Sequence, residues 1–360
     1  MYFGMRTWVT LIVFGLFACG ATAHGGGGAT RVFAAGLDNP RGLAFGPYGR
    51  LYVAEAGSGG SENTVDVCPE LQIGAPYGPY TNGATARISR IDKRGRRTTV
   101  LGGLPSGQSQ IPDWQGVADV AFIGLRLYAL VQGGGCSYGV VNDPKRIIEI
   151  DLHRKRARTV ADLGAFRRAN PSSVPDDDLE PEGVFYSMLA AAGRLWVLDA
   201  NSGALLEVTK RGRIRTAIDF AALFGHITPT AITRWGPFLL VGNLFEFPIV
   251  DGASGIYSVG PFGTSQKVVG GLTAVVDLAV DKHGALYALE TGNGLGSGFP
   301  DPEAGRVVRV SATGEHTVVA DGLTFPTAMT FGPDGRLYVS NRGYDFPPEG
   351  TGEILAIRVN

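Results

Sequence analysis

GLDNPRGLAFGPYGRLYVAEAG, residues 36–57, decides how this chain folds. Residues 322–343 repeat it as GLTFPTAMTFGPDGRLYVSNRG, with 12 of 22 positions identical and no gap. Each copy reads as an alternating apolar strand, a tight turn carrying glycine, and a second strand of Leu, Tyr and Val. A two-strand unit that returns at long spacing means an array of repeats.

Four more units lie between these two. Anchored on the Leu that opens the second strand, the six fall at Leu51, Leu127, Leu195, Leu239, Leu286 and Leu337, at intervals of 76, 68, 44, 47 and 51 residues. Behind each lies another hairpin, such as ARISRIDKRGRRTTVL or RVVRVSATGEHTVVA. The sixth, EILAIRVN, has one strand before the chain stops. ATRVFAAGL at 29–37, standing alone before the first unit, supplies the missing strand. One terminus then completes the blade begun by the other, which closes the ring and removes the open sheet edge. The expected fold is all-β: a six-bladed propeller of four-stranded antiparallel blades over residues 29–360.

Composition agrees with a turn-rich β protein, at 44% apolar residues and 54 glycines. A net charge of −1 argues against a nucleic-acid partner, and nothing points beyond a monomer. Residues 1–23 read as a signal peptide: Arg6, an apolar run over 8–18, and Ala21-Thr22-Ala23 with cleavage between Ala23 and His24. A rival lipoprotein cut at Cys19 is weakened by bulky Phe17. Residues 24–28 are a Gly-rich linker. The mature protein is expected to be exported: secreted, periplasmic or in the cell envelope. Two cysteines remain, Cys68 and Cys136, and export favours a disulfide between them over two free thiols.

Loop lengths separate two faces. First-to-second and third-to-fourth strand turns are tight and share one end, whereas insertions at 56–84, 133–144, 165–181, 292–304 and 342–352 gather at the other. Insertions on one face mark the binding face of a repeat protein. That face is acidic, including Asp176-Asp177-Asp178, and bears Tyr77, Tyr80, Trp114, Tyr138, Phe245, Phe247, Phe299, Tyr344 and Phe346. These aromatics suit a small molecule, sugar or peptide, or else pin the loops down. Lys93, Arg94, Arg154, Lys155, Lys210 and Arg211 crowd the tight-turn face, which suits an envelope polyanion or mere solvation.

Within the ring, Asp119 of the second unit and Asp277 of the fifth align with Gly42 of the first, so they face each other across the axis. Converging oxygens suit Ca²⁺; the competing reading has each Asp satisfying backbone N–H groups of a neighbouring blade. One position earlier the alignment gives Arg41, Ala118, Glu182, Thr230, Val276 and Thr327. Second strands end in Glu55, Gln132, Asp199, Asn243, Glu290 and Asn341. A candidate metal set is Asp119, Glu182, Asn243 and Asp277, and the wider ligand-binding set adds Arg41, Glu55, His226 and Asn341. Such polar residues also cap strand ends. His226 is the one histidine placed to reach the long-loop face.

PRGLAFGPYGRLYVAE and PTAMTFGPDGRLYVSN resemble NHL-type propeller repeats. With the export signal and the long Gly- and Tyr-rich first insertion, the mature chain is similar to the ScyD/ScyE family. That resemblance implies an exported six-bladed propeller, in a family tied to biosynthesis of the pigment scytonemin, and no particular reaction. Three functions follow as expectations: a binding or assembly module on the long-loop face, a Ca²⁺-dependent lactonase or hydrolase, and an oxidative enzyme acting on an aromatic metabolite.

Overall fold

Six antiparallel sheets are arranged around one axis in the computed structural model. It describes residues 29–359 except 75–77, 110–112, 175–179, 247, 262, 293–299, 312 and 345–348. The signal and linker readings, with Cys19, Ala23 and His24, lie outside the described residues, as do Tyr77, Asp176, Asp177, Asp178, Phe247, Phe299 and Phe346.

From the axis outward, blade one comprises Pro40–Gly46, Arg50–Glu55, Thr81–Ile91 and Arg97–Gln108. Blade two has Val117–Ile123, Arg126–Val131, Arg146–Asp151 and Arg156–Asp162; blade three has Phe185–Ala191, Arg194–Asp199, Ala204–Val208 and Ile214–Asp219. Blade four has Pro229–Trp235, Phe238–Asn243, Ser254–Val259 and Ser265–Leu272; blade five has Val275–Val280, Leu286–Glu290, Gly305–Val310 and His316–Leu323. Blade six has Ala328–Phe331, Leu337–Asn341 and Gly352–Ile357, completed by Thr30–Leu37. That N-terminal strand pairs antiparallel with the last one, Val32 opposite Leu355 and Ala34 opposite Ile354. The ring therefore closes through both ends of the chain.

Packing explains the sequence pattern. Each sheet is sandwiched between two others, so its central strands are apolar on both faces. Six apolar clusters result, one at every blade-to-blade interface, including Leu37, Leu43 and Ile354 at the seam. An open array of six blades would have five. The repeated Phe and Leu-Tyr positions meet across interfaces: Tyr52 on Phe122, Tyr287 on Phe331 and Tyr338 on Phe45, with centroids 5.0, 5.2 and 5.0 Å apart. Edge-to-face pairs of this kind add about 0.5–1.5 kcal/mol each beyond area burial.

Two features went beyond the repeat pattern. Blade one's third and fourth strands run past the others' length, and the short strands Glu62–Asn63 and Trp114–Gln115 extend its sheet. Short helices, Leu163–Ala169 and Phe220–Phe224, leave blades two and three, capped by Asp162 and Asp219 on the amides of Ala165 and Ala222. Among the described residues, no helix is long and apolar enough to cross a membrane.

Candidate functional site: the axial cavity

A register slip recurs where five of the innermost strands begin, between Val117 and Asp119, Phe185 and Ser187, Pro229 and Ala231, Val275 and Asp277, and Pro40 and Leu43. Such a bulge re-aims side chains locally. In blade three the slip places Tyr186 at the Ala118 position and Ser187 at the Asp119 position. Sequence alignment had put Glu182 and Gly183 there, four residues early. The glycine in Glu-Gly-Val-Phe resembles Gly42, but Gly183 belongs to the incoming turn, with φ at 71°.

Asp119 and Asp277 both line a cavity of about 410 Å³ on the axis, together with Leu43, Met188, Leu278 and Met329 of the innermost strands. Each carboxylate accepts from its neighbouring blade. Asp119 Oδ2 takes the Met188 amide at 2.7 Å, and Asp277 Oδ2 takes the Met329 amide at 2.6 Å. The other oxygens accept from Val120 and Leu278. Burial pushes Asp119 up to about 7, against the opposing effect of those amides. Burial likewise raises Asp277 well above the ordinary carboxylate range, and the Asp119 charge raises it further. Gly42 makes room for this: a Cβ there would stand 1.9 Å from Asp119 Oδ1.

At the long-loop end the mouth is cationic and aromatic. Arg41 is 8% exposed, and its Nη2 donates to the Trp114 carbonyl at 2.6 Å. Its guanidinium lies 3.7 Å from the Tyr344 ring centroid, and the Tyr344 hydroxyl donates to that of Tyr186 at 3.3 Å. No carboxylate pairs with Arg41 among the described residues. Arg41, Trp114, Tyr186 and Tyr344 all line the cavity. Reading the repeat as a ring located Arg41, Asp119 and Asp277; Tyr186 was missed because the offset in blade three concealed it.

The remaining candidates lie elsewhere. Glu182 accepts from the backbone and hydroxyl of Ser137 and pairs with Arg168. Glu55, Asp199, Glu290 and Asn341 accept the amides of Asp38, Val184, Thr273 and Thr324, clasping the backbone that enters their own blade. Asn243 does the same by donating to the Ile227 carbonyl at 2.8 Å. His226 stands 4.0 Å from Glu246 in the loops of blade four. Glu182, Asn243, Asp119 and Asp277 thus do not converge, and among the described residues no group of three or more His, Cys, Asp or Glu could hold a metal. The four-residue Ca²⁺ set does not fit.

Cys68 and Cys136 are bridged, tying the first insertion to the loop of blade two. Beside them Tyr80 packs on Tyr138 at 4.6 Å, and the Lys145 ammonium sits 4.1 Å from the Tyr138 ring. These two aromatics pin loops rather than face a ligand.

The family model for the SMP-30/Gluconolactonase/LRE-like region matches residues 181–342. No curated protein gives a significant match. Among solved structures, the chain is similar to a structural-genomics protein of unknown function from Bacteroides thetaiotaomicron VPI-5482, at TM-score 0.56 and 11% identity over 92% of this chain and 73% of that one. A luciferin-regenerating enzyme gives 0.54 and 9%, covering 92% and 96%. A gluconolactonase from Xanthomonas campestris gives 0.53 and 10%, covering 91% and 89%. At these identities the likeness is one of fold.

Proposed function

We propose that the protein is a binding module that takes a small organic anion, bearing a ring or another flat apolar group, into its axial cavity from the long-loop end. The observation that carries this reading is Arg41: a buried guanidinium, stacked on Tyr344, lining the cavity and lacking a carboxylate partner among the described residues. A buried charge without a counter-ion is costly, and a ligand carboxylate offers the planar acceptor that arginine matches. Tyr344 and Tyr186 supply the aromatic wall, while burial raises Asp119 and Asp277 and so lessens the negative charge that an entering anion meets.

Titration calorimetry with aromatic and alicyclic carboxylates, each beside its neutral amide, tests the idea. The acid should bind and the amide should not. Arg41→Gln should weaken the acid about 10- to 100-fold, as expected for a charged hydrogen bond. Equal binding of acid and amide, or of wild type and variant, overturns it.

A second reading, a lactonase, is favoured by the family match over blades three to five and the first two strands of blade six. It gains support if the purified protein retains stoichiometric Ca²⁺ and opens a sugar lactone, and it fails if neither is seen.

A further inference from the structure

The tight-turn end, opposite the cavity mouth, carries two patterns that the axial site does not use. Third-to-fourth strand turns on three consecutive blades, with the first residue of the strand that follows in blade two, present exposed cations: Lys93 and Arg94 on blade one, Lys155 and Arg156 on blade two, Lys210 and Arg211 on blade three. None of the six pairs with a carboxylate among the described residues. The nearby acids are committed within their own turns. Asp92 accepts the amides of Arg94 and Arg96 and pairs with Arg96; Asp151 accepts those of His153 and Arg154 and pairs with Arg154. The turns are also seated firmly. A Cβ on Gly95 or Gly212 would meet the carbonyl of Phe33 or Val160, on the outer strand of the preceding blade, at 2.0 Å.

Inside this basic crescent, nearer the axis at the same end, large apolar tips stand in solvent. Tyr48 is 83% exposed and Leu125 71%, at the inner turns of blades one and two; Trp235 and Phe238 flank the inner turn of blade four. Tyr48 holds a φ of 66°, a conformation uncommon for an aromatic residue, in a turn that aims its ring outward.

We propose that this end docks on an anionic lipid surface, with the cations over the headgroups and the tips of Tyr48, Leu125, Trp235 and Phe238 in the interfacial layer. Cations near such a surface are each worth about fivefold in affinity, and amphipathic aromatics favour the headgroup depth. A soluble polyanion would engage the cations alone and leave the apolar tips in water, so the tips decide between the two.

Cosedimentation with vesicles tests this. Vesicles of equal parts phosphatidylcholine and phosphatidylglycerol should bind the protein, and pure phosphatidylcholine should not. Raising salt to about 0.5 M should release most of it. Lys210→Ala with Arg211→Ala should weaken binding about 25-fold. Tyr48→Ser with Leu125→Ser should weaken vesicle binding while leaving retention on heparin unchanged. The proposal is overturned if the mixed vesicles fail to bind, if either double variant binds them as wild type does, or if heparin binds while vesicles do not.

Discussion

Gly42 and Asp119 occupy adjoining space on the axis-facing edge of the ring, and neither makes sense without the other. Asp119 reaches from blade two to the Met188 amide of blade three, and its carboxylate fills the volume that a side chain on Gly42 would need. Gly42→Ala should therefore overpack the site and cost about 1–3 kcal/mol, read from urea unfolding. The acids also set a pH dependence. In the folded protein Asp119 titrates at about 7 and burial holds Asp277 well above the ordinary carboxylate range, whereas in the unfolded chain both deprotonate near 4. Over that window the folded state binds more protons at these two acids, so their contribution to stability is greatest at acid pH and falls as pH rises toward 7 and beyond. Glu55, raised by burial to about 7, acts in the same direction. Melting temperature should decline between about pH 5 and 8, and Asp119→Asn with Asp277→Asn should flatten the decline. An unchanged slope in the double variant would contradict the assigned titrations.

At the scale of the strand, the polar residue that ends the second strand acts as a clasp in five blades, while Gln132 of blade two accepts the Phe185 amide of blade three. Asp199 is the clearest instance: it accepts from Val184 and Ser202 and pairs with buried Arg167, Nε at 2.8 Å. Asp199→Ala strands that guanidinium in the interior and should cost about 3–5 kcal/mol, again by urea unfolding. The sequence shows these acids and amides at regular positions, and the regularity alone fits a ring of ligands as well as a ring of clasps. What separates the two is direction. A strand-end side chain can point to the axis or back into its own blade, and only the path of the entering backbone, whose unpaired amide needs an acceptor, selects the second. Blade three was misaligned for a related reason. Gly183 matched the repeat by residue type, while the strand itself starts at Phe185.

For the whole molecule, closure is the controlling feature. The N-terminal strand covers Ile354 and Ala356 and contributes Ala34 and Leu37 to the seam cluster. Removing residues 29–37 should expose that cluster, giving dye binding and a broadened melt instead of one cooperative transition. The Cys68–Cys136 bridge closes a sequence separation of 68 residues between two loops. Cys68→Ser with Cys136→Ser should lower stability by about 2–4 kcal/mol in denaturant.

Blade number, strand order, the sealing of the ring by its two ends and the division into a long-loop and a tight-turn face were all settled by the sequence, because hydrophobic period, turn glycines and repeat spacing are local properties that survive translation along the chain. The opposed aspartates followed from the same symmetry. Tertiary structure alone decided that Tyr186 rather than Glu182 stands at the cavity mouth, that Glu55, Asn243 and Asn341 turn inward, and that Arg41 lies against Tyr344 without an acidic partner among the described residues. Those outcomes depend on where the first strand of blade three begins, two residues beyond the glycine that mimics the repeat, and on which backbone amide lacks an acceptor, and both are fixed only when blades meet.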